Sequence, residues 1–134
     1  MGLKEEIAAA QQKGKLHSSI RRHAEGCFAV EVADNANAPE LRPRDIVVID
    51  PRAEPATGDF VYIEVRHTKS RHRTFRQYCE YAGAEIRLVP LNKAFRTYRF
   101  GVPGEPTIAI LGIAVELSRS FSPSGARGAV GLAA

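Results

Sequence analysis

Reactive side chains are few in this chain of 134 residues, and most are widely spaced. The only two cysteines, Cys27 and Cys79, lie far apart and can supply neither a disulfide framework nor a four-ligand zinc site. They read as small apolar residues in a reducing compartment. Of the four histidines, His17, His23, His67 and His72, none has metal-ligand spacing, and the last two sit among cations that repel another cation. We therefore expect no metal and no cofactor. Arg66, His67, Lys69, Arg71, His72, Arg73 and Arg76 form an acid-free run. Side chains of this kind contact phosphates with salt-sensitive, sequence-independent affinity, and Arg66, Lys69, Arg71 and Arg73 are the candidates for nucleic-acid contact. A charged hairpin tip is equally a solvated loop that discourages edge-to-edge pairing. Phe75, Tyr78 and Tyr81 could stack on bases, although such residues more often belong to a core.

The most informative segment is Val32 to Asp50, VADNANAPELRPRDIVVID. It resembles the nucleophile region of the LexA and phage-repressor autopeptidases and the related signal peptidases, approximately V-x-G-x-S-M-x-P-x-L-x-x-G-D-x-V. Val32, Pro39, Leu41, Asp45 and Val47 match, as does the apolar Ile46 between the last two. Asp34, Ala36, Asn37 and Arg44 stand where that pattern has glycine, serine, methionine and glycine. The resemblance places the family's catalytic lysine in a later T-[IV]-K-R-[IL]-like run, matched here by Thr74, Phe75, Arg76, Gln77 and Tyr78. Nucleophilic catalysis of this type needs a hydroxyl that attacks and a neutral amine that takes its proton. Alanine has no such oxygen, and a guanidinium stays protonated at physiological pH. A single Ser→Ala exchange would account for Ala36 alone, but not for Asp34, Asn37 and Arg76 together.

The resemblance, which spans about residues 27 to 121, implies a pseudo-peptidase with a degenerate dyad at Ala36 and Arg76. Its expected function is that of a catalytically inactive regulatory module, acting by dimerisation or partner binding in transcription control as a phage repressor or antirepressor does. Expected partners are a second copy, a helix-turn-helix repressor or another LexA-like protein; direct DNA binding stays open. The alternative is a self-cleaving serine peptidase, which would need another nucleophile. Ser18, Ser19 and Ser70 lie outside the motif context. The Ala-Gly or Cys-Gly bond that LexA-like proteins cut is also missing before Ala36, where only Lys13-Gly14 and Glu25-Gly26 come near it.

The elements that would position these residues are mainly strands. The resemblance implies a mainly β, LexA-like C-terminal domain of β-clip type, with short antiparallel strands in a small barrel or sheet assembly. Turn signals and apolar runs predict strands at Cys27–Val32, Ile46–Ile49, Phe60–Arg66 after Thr57-Gly58-Asp59, Arg73–Cys79, Glu85–Val89, Phe95–Phe100 and Thr107–Leu117. Strict alternation in the last puts Ala109, Leu111, Ile113, Val115 and Leu117 on one face and Ile108, Ile110, Gly112 and Ala114 on the other. Apolar on both faces, the strand suits either burial as a central strand or an interface; by analogy with the family, the second set is the expected isologous dimer interface.

Before this domain, residues 1–26 read as a short helical segment with a Leu3, Ile7, Ala10 stripe, too short for a helix-turn-helix reader. After it, residues 122–134 read as a flexible tail whose Leu132-Ala133-Ala134 end resembles bacterial degradation tags. A hydrophobic content of 44% suits one core, and the +4 charge is too modest to specify a polyanion partner. No apolar run approaches the roughly 20 residues of a membrane span. Lys4, Glu5 and Glu6 precede too short an apolar stretch for a signal peptide. The expected location is the cytoplasm.

Overall fold

The protein is described by a computed structural model over residues 26–120; the expected N-terminal helix and C-terminal tail lie outside the described residues. Seven strands form one sheet: β1 Phe28–Glu31, β2 Ile46–Asp50, β3 Phe60–Arg66, β4 Arg71–Tyr81, β5 Glu85–Val89, β6 Tyr98–Arg99 and β7 Thr107–Ser118. They are hydrogen-bonded in the order β1-β2-β7-β3-β4-β5-β6, and every pairing is antiparallel. The mainly β expectation holds, as do the bounds of β3 and β5. β4 is longer than expected, and the stretch expected as Phe95–Phe100 is strand only at Tyr98–Arg99. The turn before β3 forms as the sequence indicated. Gly58 takes φ +102, its N–H donates to Tyr78 O, and the Asp59 carboxylate accepts from Ala56 N at 2.8 Å.

Alternation along the strands supplies both faces of the sheet with apolar side chains. Val61, Ile63 and Val65 of β3 meet Tyr78, Leu88, Tyr98, Ile108 and Ile113 in one cluster. Tyr62 meets Phe28, Val47, Ile49 and Phe75 in another. Each fully buried aliphatic side chain contributes about 1.5–3 kcal/mol of transfer free energy, so these rows hold the sheet together.

The strict alternation expected for β7 fails, because the strand carries two bulges. Against β3, Tyr62 opposes Gly112 but Ile63 opposes Ile110, leaving Leu111 as an extra residue. Against β2, Val48 opposes Glu116 but Ile49 opposes Ala114, leaving Val115 extra. Each bulge changes which residues face which side and bends the strand. Ile108 and Ile113 therefore share one cluster, with Ile110 packed against it, whereas Leu111 and Ala114 pack against the other. Gly112 is needed where β7 passes β2: a Cβ there would run into the Ile49 side chain and lie 2.9 Å from Asp50 O.

The loop between β1 and β2 is fastened at its far end by Asp45. Its buried carboxylate takes a two-pronged contact from Arg119, Nε to Oδ1 at 2.9 Å and Nη2 to Oδ2 at 2.8 Å, and accepts from Arg42 N at 2.7 Å. Burial raises the Asp45 carboxyl, but the bonds from Arg119 and Arg42 and their charges outweigh it, and the net shift is downward. A depressed folded value means that the contribution is fully present above the ordinary carboxylate range and is lost as pH falls through the folded value. Arg119→Gln is therefore expected to lower the melting temperature at neutral pH, and the gap from the parent should close on acidification through and below that range. A gap that stays constant down to acid pH would show that Arg119 does not act through Asp45.

Candidate functional site

The loop Val32–Asp45 is closed at its neck by Val32 N to Asp45 O and Arg44 N to Val32 O, both 2.8 Å. This closure places Arg44 at φ +78, a left-handed conformation that costs an L residue with a Cβ about 1–2 kcal/mol. The resemblance puts a glycine at this position, and the backbone still has the shape that suits one.

Within the loop, Asp34, Ala36 and Asn37 form one hydrogen-bonded web with β4. The Asp34 carboxylate accepts from Ala36 N through Oδ1 and from the Thr74 hydroxyl through Oδ2, both at 3.0 Å. Asn37 is buried; its Nδ2 donates to Phe75 O at 2.8 Å and its Oδ1 accepts from Leu91 N at 3.3 Å. Ala36 has no exposed surface, and its carbonyl accepts from Asn92 N at 2.8 Å, so the segment around Leu91 and Asn92 is tied to the loop at both Ala36 and Asn37.

Arg76, only 3% exposed, fills the centre of this web. Its Nη1 donates to Phe75 O at 2.8 Å and to Thr74 Oγ1 at 3.2 Å, while Nε donates to Arg96 O at 3.0 Å. The Tyr98 and Phe95 rings lie 5.2 and 5.9 Å from its central carbon. Burial pulls the guanidinium below the usual arginine value, partly opposed by Tyr98 and Asp34. Arginine's intrinsic basicity still keeps it charged at physiological pH. The Asp34 carboxylate is reached through the Thr74 hydroxyl. That hydroxyl donates to Asp34 and accepts from Arg76 while buried, so it is engaged on both sides.

The family model described as Peptidase S24-like matches residues 2–115. The chain belongs to this family. A search of the curated proteins gave no match. The Peptidase S24-like match reaches well N-terminal of Cys27, where the resemblance was expected to begin. In this S24-like domain the two expected dyad positions, Ala36 and Arg76, belong to the same buried web, linked through Asp34 and Thr74.

The remaining expected site residues lie elsewhere. Of the β7 set, Ile108 and Gly112 are buried and Ile110 and Ala114 pack against the core clusters; the exposed apolar side chains of this strand are Val115 and Leu117. The run from Arg66 to Arg73 sits at the β3–β4 hairpin tip. Although acid-free in sequence, it is not acid-free in space. Buried Glu64 is reached by Arg66 at 3.0 Å, Arg71 at 3.6 Å and Arg73 at 3.7 Å. The Arg66 bond, aided by the three charges, carries the Glu64 carboxyl below the usual range against the effect of burial. Among the described residues no group of His, Cys, Asp and Glu is arranged to hold a metal ion, and no helix is long and apolar enough to cross a membrane.

Sequence reasoning did not find Leu91, Asn92, Phe95, Arg96 and Tyr98 as parts of the site. Their contributions are mostly backbone groups and ring faces, which leave no motif. Asn37 did carry a signal, since an amide in place of an apolar letter must find partners if it is buried.

Two reversions toward the family pattern are expected to move stability in opposite directions. Arg44→Gly removes the left-handed penalty, and the more flexible unfolded chain returns part of the gain, leaving a net stabilisation of about 0.5–1 kcal/mol. Arg76→Lys keeps a charge but cannot reach the Phe75 and Arg96 carbonyls together, and is expected to cost about 2–3 kcal/mol. Urea midpoints at unchanged slope measure both. A lower midpoint for Arg44→Gly would show that its side chain contributes more than its backbone costs, and an unchanged one for Arg76→Lys would show that the fork geometry is dispensable.

Proposed function

We propose that this chain is a non-cleaving member of the Peptidase S24-like family that works by self-association, or by binding a related protein, in transcription control of the phage repressor or antirepressor type. The observation that carries this reading is the pocket around Ala36 and Arg76. A peptidase of the Ser/Lys type needs a hydroxyl open to a peptide carbonyl and an amine that can lose its proton. At the two corresponding positions stand a methyl group with no exposed surface and a guanidinium held by two carbonyls and a hydroxyl. Asp34 and Asn37 tie the loop to β4 through contacts that a glycine and a methionine would not make.

With Ala36 and Arg76 both buried, an apolar surface open to a partner lies on β7. Val115 and Leu117 on the C-terminal half of β7 are 42% and 40% exposed, and such residues suit the isologous contact of a two-fold dimer. They replace Ile108, Ile110, Gly112 and Ala114 as the proposed contact, because the protomer's own packing already uses those four. A helix-turn-helix repressor or another LexA-like protein presenting the same strand could take the place of the second copy.

The intact mass of the purified chain is expected to stay unchanged after long incubation at alkaline pH, and with activated RecA filament, conditions that promote self-cleavage in the family. A cut at one defined bond would overturn the non-cleaving reading in favour of a self-cleaving serine peptidase. Sedimentation equilibrium is expected to give twice the 14.7 kDa chain mass. Val115→Glu combined with Leu117→Glu should return the monomer; a dimer indifferent to both changes would place the interface elsewhere.

A further inference from the structure

The end of the sheet where β3, β4 and β7 meet carries more positive charge than the fold requires. Arg66 pairs directly with Arg71 across β3 and β4, and with Thr107 of β7 on its other side. Like charges placed opposite one another on neighbouring strands are unfavourable. Glu64 offsets this only in part, because one carboxylate faces the guanidinia of Arg66, Arg71 and Arg73, which remain 50%, 70% and 53% exposed. The buried acid thus fans three cations outward in a fixed row without neutralising them.

Two depressions adjoin at this end of the sheet. One, of about 650 Å³, lies between the hairpin tip and the loop before β7, lined by Arg66, His67, Thr68, Arg96 and the stretch 104–107. The other, of about 470 Å³, lies over the tip itself, lined by residues 66–71. They share Arg66, His67 and Thr68, so they form one trough. Counting neither histidine, Arg66, Lys69, Arg71, Arg73 and Arg96 in and beside it stand against Glu64 and Glu105, five positive groups against two negative and a net +3. Glu105 itself is bonded to Arg96 at 3.2 Å.

We propose that this trough binds the phosphate backbone of duplex nucleic acid. Its cations are mostly guanidinia, the group whose planar fork matches phosphate oxygens. The trough contains no large apolar or aromatic side chain, histidines aside, that could anchor a peptide or stack on an unpaired base, which favours a continuous polyanion recognised through its backbone. Binding of this kind is independent of base sequence. The assignment does not rest on the reading of the Ala36 pocket, and either can fail without the other.

The test uses the full chain and short labelled duplexes of two unrelated sequences, followed by fluorescence anisotropy. With four phosphate contacts from Arg66, Lys69, Arg71 and Arg96, the affinity should fall with a log–log salt slope of about −3.6, roughly 150-fold between about 50 and 200 mM salt, equally for both sequences. Replacing Lys69 and Arg71 together by Gln should bring the slope to about −1.8, with unchanged circular dichroism and urea midpoint certifying the fold. Lys93→Gln, an exposed cation outside the trough, should leave it unchanged. No binding at low salt, a slope that the double variant preserves, or tighter binding of polyglutamate or of phosphatidylserine vesicles than of the duplex would overturn the proposal.

Discussion

A permanent charge buried beside a sheet constrains every loop around it. The Arg76 guanidinium cannot shed its proton, and removing such an ion from water costs several kcal/mol even after relaxation. The interior offsets that cost with the Phe75 and Arg96 carbonyls, the Thr74 hydroxyl and the Tyr98 and Phe95 rings. Charge-assisted bonds of about 1.5–3 kcal/mol each, with a desolvated cation–ring contact of up to about 2 kcal/mol, are of the size required. The contacts and the desolvation cost are therefore of similar size. Arg96 O is used here rather than in a strand ladder, consistent with regular pairing in this stretch beginning only at Tyr98.

The same web connects Asp34, Ala36, Asn37 and Arg76, four of the five positions that differ from the family pattern. Phe75 O accepts from both Arg76 and Asn37, and Thr74 passes the contact on to Asp34, which holds Ala36 N. Substitutions that look unrelated along the chain are neighbours in one polar network, where the worth of each depends on the others. Arg44 is different. It occupies a left-handed backbone shape that favours glycine, the residue the resemblance puts at that position.

Two features give the rest of the domain its form. β7 pairs with β3 through Thr107–Ile113 and with β2 through Ile113–Ser118, and a bulge in each stretch, at Leu111 and Val115, turns its side chains so that one strand serves both core clusters. Asp45, clamped by Arg119 from just beyond the end of that strand, fixes the neck of the loop that carries Ala36. Both devices are long-range, and both depend on where β7 lies.

Much of the fold was legible in the residues themselves. Apolar alternation and turn chemistry placed all seven strands, because side-chain period and left-handed glycines are local properties. The residue types at the two positions that the resemblance aligns with a serine and a lysine, Ala36 and Arg76, were equally visible. The faces of β7 were not legible: a bulge is decided by the register of two strands distant in sequence, so alternation alone put Ile108, Ile110, Gly112 and Ala114 on one face, whereas Ile108 and Ile110 pack in one core cluster and Ala114 against the other. Nor was the acid among the basic residues, because Glu64 becomes the neighbour of Arg71 and Arg73 only once β3 and β4 pair. The sequence by itself determined which chemical groups are present at the two motif positions. Only the tertiary structure decided that they are buried, which partners hold them and which apolar and cationic surfaces remain for others, because burial and hydrogen bonding depend on contacts between segments far apart in the chain.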